Sequence, residues 1–566
     1  MGIDYDAIPG TTHLVDLDLS SKVEHAEGKK EIVLIPTPSE DPNDPLNWSK
    51  GRKWMHVFCI ILYTFGVGVP GTCIYSILTD ISEAPGVDIS VTDLNDGTGY
   101  MFLFLGIGCL FFQPIALQYG KRPVYLLSTI AVAMFNLWQP YITTNGQWIA
   151  SKILAGFFAA PIEALPEISI SDLFFEHERA TYMGIYAVAL FGSNYIAPLV
   201  AGFINENSRN LAVGGWKWVI YWSVIFCCMS FVFLFFFMEE TNYERKLSVQ
   251  KDSDGNVLSS TETNGDVKSP TVVTNVTSHQ TLDELEMEVN EHLENQAILV
   301  DEPIEYLPPK NFWQKLSLTS GIHSKFLLWE YMKGPFYMLQ FPVVLWSGFL
   351  YGSSLFWYSV LNGTESLVLS AAPYNFSSSM CGLAYVSPVI FVLIIYFYAG
   401  WTTDWLKIKF AKRRNGLSHA EDRLWALVVY MILGPFALIL WGVGAYHGIH
   451  WFGVVFGLGL MAGLCIIGCV NAVTYVIDCY HELSCEAMAT VVMIRNTMNF
   501  AMDYGITPWV DNTGLQNTFV AAAFICLFCI STFFVMELTG LYWRKKTKDR
   551  YWKLIERRRR LLGVQH

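Results

Sequence analysis

The chain has 566 residues, of which 52% are hydrophobic, 15% aromatic and only 15% charged. Soluble proteins carry about a quarter charged residues, so an ordinary soluble enzyme is excluded. A formal net charge of −13 gives no electrostatic basis for a nucleic-acid partner.

The first part of the chain, 1–53, is polar and reads as a cytosolic tail. No short apolar core with a small-residue cleavage site is seen, so no cleavable signal is expected. Twelve apolar runs follow, near 54–78, 97–117, 122–142, 147–175, 182–204, 218–238, 338–361, 379–399, 424–446, 451–480, 486–507 and 516–538. Each is long enough to cross about 30 Å of hydrocarbon as a helix. The expected fold is all-α and polytopic, with twelve transmembrane helices. They form two six-helix bundles, 54–238 and 338–538, separated by a central cytosolic loop at 239–337 and followed by a basic cytosolic tail at 539–566. Within the loop, 247–305 is rich in Ser, Thr, Asn, Asp and Glu, which cannot bury enough apolar surface to fold alone. Leu282, Leu285, Val289 and Leu293 stand at helical spacing there, so a short amphipathic helix is the alternative to a solvated linker.

Orientation follows from Lys and Arg near the span ends. Lys50, Arg52, Lys53, Lys121, Arg122, Lys407, Lys409, Lys412, Arg413 and Arg414 fall on the side of the termini, with the basic tail. The first loop of the other side carries Asp80, Glu83, Asp88, Asp93 and Asp96 and no Lys or Arg. Both termini are therefore expected in the cytosol. Asn362-Gly-Thr and Asn375-Phe-Ser are glycosylation sequons in the loop after span 7, on the outer side.

The sharpest chemical signal is in span 4, which reads Ala155-Gly-Phe-Phe-Ala-Ala-Pro161-Ile-Glu163-Ala-Leu-Pro166-Glu167. A carboxylate at the bilayer centre costs about 2.5–3.5 kcal/mol on insertion scales, and such groups normally face a cavity. Lys152, Gly156, Glu163 and Glu167 fall roughly on one helical face. Pro161 and Pro166 each remove a backbone donor, which frees carbonyls beside the acids. Two carboxylates with free carbonyls suit an ammonium ion or a proton. The competing reading is a structural ion pair with Lys152 or Arg495.

Other spans add candidates. Span 5 holds Tyr186 and Asn194. Span 7 holds Tyr351, Phe356, Trp357 and Tyr358, whose faces attract ammonium groups by about 0.5–2 kcal/mol each. Span 10 carries Asn471, Tyr475 and Asp478; Asp172 and Asp478 lie near equivalent span ends and suit gating contacts. In span 11, Arg495, Asn496, Asn499 and Asp503 make a polar stripe, and Arg495 is expected to pair with an acid of span 4 or 10. Ten of the twelve cysteines lie inside spans, without disulfide or zinc spacing. No nucleophile elbow or phosphate loop occurs, so neither a cofactor nor an enzyme activity is expected.

Local motifs make a family resemblance specific. Gln113-Pro-Ile-Ala-Leu117-Gln-Tyr-Gly120-Lys121-Arg122-Pro123 after span 2 is similar to the Gly-x-x-x-Asp-Arg-x-Gly-Arg-Arg loop of the major facilitator superfamily. Gly400-Trp-Thr-Thr-Asp404, Ala411-Lys-Arg-Arg-Asn-Gly416 and Glu421-Asp-Arg-Leu-Trp425 resemble the corresponding loop of its fungal drug:proton antiporter-like carriers. Asp44-Pro-Leu-Asn-Trp-Ser-Lys50, Gly215-Trp-Lys-Trp218 and Glu240-Thr-Asn-Tyr243 also resemble that group. The Pro161 to Glu167 run resembles its branch of polyamine and organic-cation permeases. Departures are equally specific. Leu117 replaces the loop acid, which leaves that role to Asp404. Ser193, Ala197 and Ala201 replace glycines of the antiporter pattern, and Lys152 stands for an arginine linked to proton exchange.

The resemblance implies two pseudo-symmetric halves, a cavity lined by spans 1, 4, 7 and 10, and alternating access. Together with the residue chemistry above, Glu163, Glu167, Tyr351, Trp357, Asn471, Tyr475 and Asn194 are the expected substrate contacts. Lys152, Asp172, Asp404, Asp478 and Arg495 are implied as proton-coupling or gating residues. The implied partners are a polyamine-like organic cation, a proton and the lipid of the plasma membrane, for a monomeric carrier. Inward movement of one positive charge gains about 2.3 kcal/mol per 100 mV, which favours import. The alternatives are a drug:proton exporter and a non-transporting nutrient receptor whose central loop signals.

Overall fold

A computed structural model describes residues 8–13, 41–210, 215–242, 250–251, 257–258, 314, 316–317, 327–413 and 417–562. Twelve spans are present. The first half comprises span 1 (Lys50–Thr72), span 2 (Val91–Tyr119), span 3 (Lys121–Trp138), span 4 (Asn145–Ala159 and Pro161–Leu173), span 5 (Glu176–Ser208) and span 6 (Gly215–Phe237). The second comprises span 7 (Pro342–Ser370), span 8 (Ser378–Ala384 and Val386–Arg413), span 9 (Leu427–Tyr446), span 10 (Trp451–Cys479), span 11 (Ser484–Thr513) and span 12 (Leu515–Ser531, continued by Phe533–Leu562).

Among the described residues, nine helices are long and apolar enough to cross a membrane on composition alone. Spans 3, 7 and 11 fall short because of their charged or polar residues, such as Lys121 and Arg122, then Ser347, Ser353, Ser354 and Ser359, and Arg495 with Asp503. All three are nevertheless packed among the other spans.

Local chemistry sets the span ends. Ser90 caps span 2 reciprocally with Asp93: the Asp93 amide donates to Ser90 Oγ at 3.1 Å, and the Ser90 amide donates to Asp93 Oδ2 at 2.9 Å. Glu240 accepts from the Lys121 and Arg122 amides at 3.0 and 2.9 Å, which places a carboxylate on the positive end of span 3. Gly120 (φ 117°) and Gly514 (φ 77°) reverse the chain between spans within one residue, in backbone conformations that favour glycine.

Each half has its own apolar core, one built from residues between Trp48 and Met238 joined by Tyr385 and Val492, and the other from residues between Met338 and Ile555 joined by Phe191 and Tyr195. The halves meet along spans 2 and 11 and along spans 5 and 8. Glycines set these approaches. A Cβ on Gly106 would lie 3.0 Å from Asn496 Cβ, and one on Gly202 would lie 2.3 Å from the Ser378 carbonyl oxygen.

Several elements differ from the sequence expectation. Span 4 is broken at Pro161, which is not followed as one continuous helix. Span 7 continues nine residues beyond the expected end at 361, to Ser370, so Asn362 lies inside a helix. It is 4% exposed and accepts a hydrogen bond from Tyr385 at 3.3 Å, so it is no glycosylation site in this fold. Asn375 remains exposed, in the turn between spans 7 and 8. Span 12 runs on as a helix through the basic tail. A short strand, Thr11–His13, pairs antiparallel with Leu417–His419 in the 8–9 connection. Arg544 donates to the Pro9 carbonyl at 2.6 Å, so both terminal segments share one face of the molecule, here the terminal face. In the central loop, Leu328–Met338 is a helix that packs on spans 2 and 11. Leu282, Leu285, Val289 and Leu293 lie outside the described residues.

Candidate functional site

Span 4 delivers its acids at the break. Pro161 starts the second piece, and Glu163 stands in its first turn. Pro166 cannot donate to the carbonyl four residues earlier, that of Ile162. The hydroxyl of Tyr186 on span 5 donates to that oxygen at 2.6 Å. The freed carbonyl thus already has a donor within the first half.

Glu163 meets Arg495 of span 11 across the two halves, Oε1 to Nη2 at 2.6 Å, with side chains 11% and 4% exposed. Arg495 also donates to Tyr351 Oη at 3.0 Å, and its guanidinium lies 4.8 Å from the Tyr351 ring centre. Asn496 Oδ1 accepts from Nε and Nη2 of the same guanidinium at 3.2 and 2.9 Å. Spans 4, 7 and 11 are joined here by one saturated cation. A buried pair of this kind repays its desolvation only when further hydrogen bonds complete it, and those from Tyr351 and Asn496 do so.

Glu167, one turn further along span 4, has no ion pair among the described residues. With Glu163 compensated by Arg495, an ionised Glu167 gives the cluster one net negative charge. Chemically, the cluster can take up one cation or one proton without building an unpaired charge.

The other expected residues divide clearly. Asn471 is fully buried and donates to Ile467 O at 2.8 Å, while its Oδ1 has no partner among the described residues. Trp357 is fully buried against Phe356 in the core of the second half. Tyr475 is not with the acids: at the terminal face its hydroxyl lies 3.3 Å from Glu421 Oε1, beside the buried pair of Glu421 with Arg544 (2.5 Å). Asn194 is half-buried on span 5 and adds no hydrogen bond to the cluster.

Lys152 is fully buried, with its Nζ 4.7 Å from the Trp148 ring centre and without a hydrogen-bond partner among the described residues. Eleven residues, about 16 Å along a helix, separate it from Glu163, and of the two alternative partners, Lys152 and Arg495, Glu163 pairs with Arg495. At the terminal face, Asp172 pairs with Lys121, and Asp478 pairs with Arg423 at 3.0 Å. Asp404 lies on span 8, but its side chain is outside the described residues.

Sequence reasoning missed one buried acid and left another without a role. Glu365 on span 7 has both carboxylate oxygens buried without a partner among the described residues, and Asp503 on span 11 has one. Glu365 was hidden by ending span 7 before it. Asp503 stood in a recognised polar stripe, and its four-residue spacing from Asn499 was the available signal.

A sequence profile of the Major Facilitator Superfamily matches residues 56–502. The chain belongs to the Major Facilitator Superfamily. An uncharacterised MFS-type transporter of Schizosaccharomyces pombe is 30% identical to it, over 98% of this chain and 96% of the relative. The HOL1 protein of Saccharomyces cerevisiae is 27% identical over 92% of each chain. Among solved structures, the xylose transporter XylE of E. coli, in a partially occluded inward-open conformation, superposes with a TM-score of 0.53. It covers 85% of this chain and 97% of its own at 11% identity, a likeness of fold alone. Superfamily membership makes this chain a membrane transporter and not an enzyme, with the Glu163–Arg495 contact at the junction of its two halves.

Proposed function

We propose that this transporter imports polyamines and related organic cations across the plasma membrane by alternating access, with the terminal face in the cytosol. The observation that carries this reading is Glu167, a carboxylate without an ion pair beside the compensated Glu163–Arg495 contact. A substrate ammonium completes that charge set. The membrane potential drives inward movement of each positive charge by about 2.3 kcal/mol per 100 mV. Positive residues on the terminal face support its cytosolic placement. The test is uptake of radiolabelled spermidine by cells expressing the full chain. Glu167→Gln should abolish uptake while the protein still reaches the cell surface; uptake at the wild-type rate would sink the proposal.

Lys152 favours a second reading. A fully buried amine without a hydrogen-bond partner, at the place where antiporter-like relatives resembling this chain carry an arginine, suits exchange of a cation for protons. Under that reading, deleting the protein sensitises cells to cationic drugs and leaves polyamine accumulation as it was.

A further inference from the structure

Span 11 carries more than Arg495. Arg495, Asn499 and Asp503 follow at four-residue intervals and therefore share one helical face. Asn499 and Asp503 are only 3% and 6% exposed. Yet Asn499 Oδ1 and Asp503 Oδ2 have no hydrogen-bond partner among the described residues, nor does Nδ2 of the adjacent Asn496. Buried polar atoms are normally paired, and a run of three orphans along one helix marks a place where a polar guest belongs.

The run lies in the seam between the halves. A Cβ on Gly99 of span 2 would stand 3.2 Å from Asp503 Cβ, so span 2 passes directly over this acid. One turn beyond, Asn95 of span 2 donates to Thr507 Oγ1 of span 11 at 3.2 Å and to the Gly363 carbonyl of span 7 at 3.3 Å. That layer joins the halves on the face away from the termini. Asp503 is thus the first buried acid beneath the seal, on the same face of span 11 as the guanidinium that holds Glu163.

The spacing has a chemical meaning. Asp503 lies eight residues from Arg495, about 12 Å along the helix. Glu167 lies one turn, about 6 Å, on the other side of the Glu163–Arg495 level, because span 4 runs toward the terminal face. The central acids and Asp503 are therefore separated by about 12 to 18 Å along the path. An extended chain advances about 3.5 Å per three bonds, so this distance corresponds to about ten to fifteen bonds. The terminal nitrogens of spermine are about thirteen bonds apart and those of putrescine about five, so only the longer amine reaches both stations.

We propose that Asp503 is a second ammonium-binding residue, and that with the acids of span 4 it selects linear polyamines by length. The proposal rests on the polyamine reading above. Asn499 and Asn496 line the stretch between the stations, where amide groups can meet an internal amine of the chain.

The test uses the full-length chain in cells lacking their own polyamine uptake. Uptake of labelled putrescine is competed with unlabelled spermine and with unlabelled putrescine, and the ratio of the two half-inhibitory concentrations is read. That ratio does not depend on how much carrier reaches the membrane. The wild type should favour spermine, Asp503→Asn should lose at least about tenfold of that preference, and Asp503→Glu should keep it. Direct binding of both amines to the purified variants gives the same ratio where transport is too slow to measure. An unchanged ratio in Asp503→Asn overturns the assignment of Asp503 alone. Uptake of neither amine by the wild type overturns the polyamine reading, and the length selection with it.

Discussion

Arg495 places Nη2 2.6 Å from Oε1 of Glu163, and the contact ties span 11 of the second half to span 4 of the first. Removing one partner of a buried pair leaves an uncompensated charge and costs about 3–5 kcal/mol, whereas replacing both by apolar groups is close to neutral. Arg495→Met alone should therefore lower the melting temperature of the purified protein strongly. Glu163→Leu combined with Arg495→Met should restore most of the stability without restoring uptake. Equal melting of the single and double variants would show that the pair is not coupled.

Tyr186 substitutes for the donor that Pro166 lacks. Tyr186→Phe leaves the Ile162 carbonyl buried and unpaired, at a cost of about 1–3 kcal/mol. Because Ile162 immediately precedes Glu163, the second piece of span 4 should shift and uptake should fall together with stability. Melting indistinguishable from wild type would contradict the assignment.

Much of this was legible in sequence because apolar length and periodicity report directly on membrane spans. The acids of span 4 and the pairing of Arg495 were legible because an intramembrane charge must find a partner. Tertiary proximity was not. Tyr475 stands one turn from Asn471 in sequence, yet its hydroxyl belongs to Glu421 at the terminal face, a contact made by folding of the 8–9 connection. Asn362 read as a loop residue because Ser359, Asn362, Thr364 and Glu365 lower the apolar signal, although the helix that carries them is sheltered by the rest of the bundle. Glu365 was lost for the same reason.

The two ion pairs at the terminal face repeat one design. Lys121 begins span 3 and meets Asp172 at the end of span 4, and Arg423 precedes span 9 and meets Asp478 at the end of span 10. Arg423 and Asp478 are 13% and 23% exposed, so that pair should contribute only about 1 kcal/mol or less to stability, whereas Lys121 is 3% exposed against 27% for Asp172 and depends more on its partner. A bias of that size still shifts a two-state equilibrium about fivefold. Asp478→Asn should melt like wild type yet change the maximal uptake rate several-fold, and Asp172→Asn should change that rate with some loss of stability, because it leaves the buried Lys121 ammonium without its carboxylate. If the pairs do not gate, both rates will match wild type.

Spans 5 and 8 cross where two glycines meet. A Cβ on Gly202 would lie 2.3 Å from Ser378 O and 3.0 Å from Gly382 Cα, both backbone atoms that cannot swing aside. Gly202→Val should hold the halves apart on the face away from the termini. A cysteine placed at Ser379, on the same crossing, should then react faster with a membrane-impermeant maleimide added from outside, while uptake is lost. Labelling as slow as in the Ser379→Cys parent would show that the crossing does not close that face.

The two sequons should behave differently. Asn375 is exposed at φ 49° in the turn between spans 7 and 8, whereas Asn362 is buried within span 7 and bonded to Tyr385. An oligosaccharide cannot be accommodated on a side chain packed inside the bundle. If the face away from the termini is extracellular, Asn375→Gln should remove the glycosidase-sensitive shift on a denaturing gel, and Asn362→Gln should leave it in place. Modification that survives Asn375→Gln and disappears in Asn362→Gln would require span 7 to end before Asn362, and with it a different placement of Glu365.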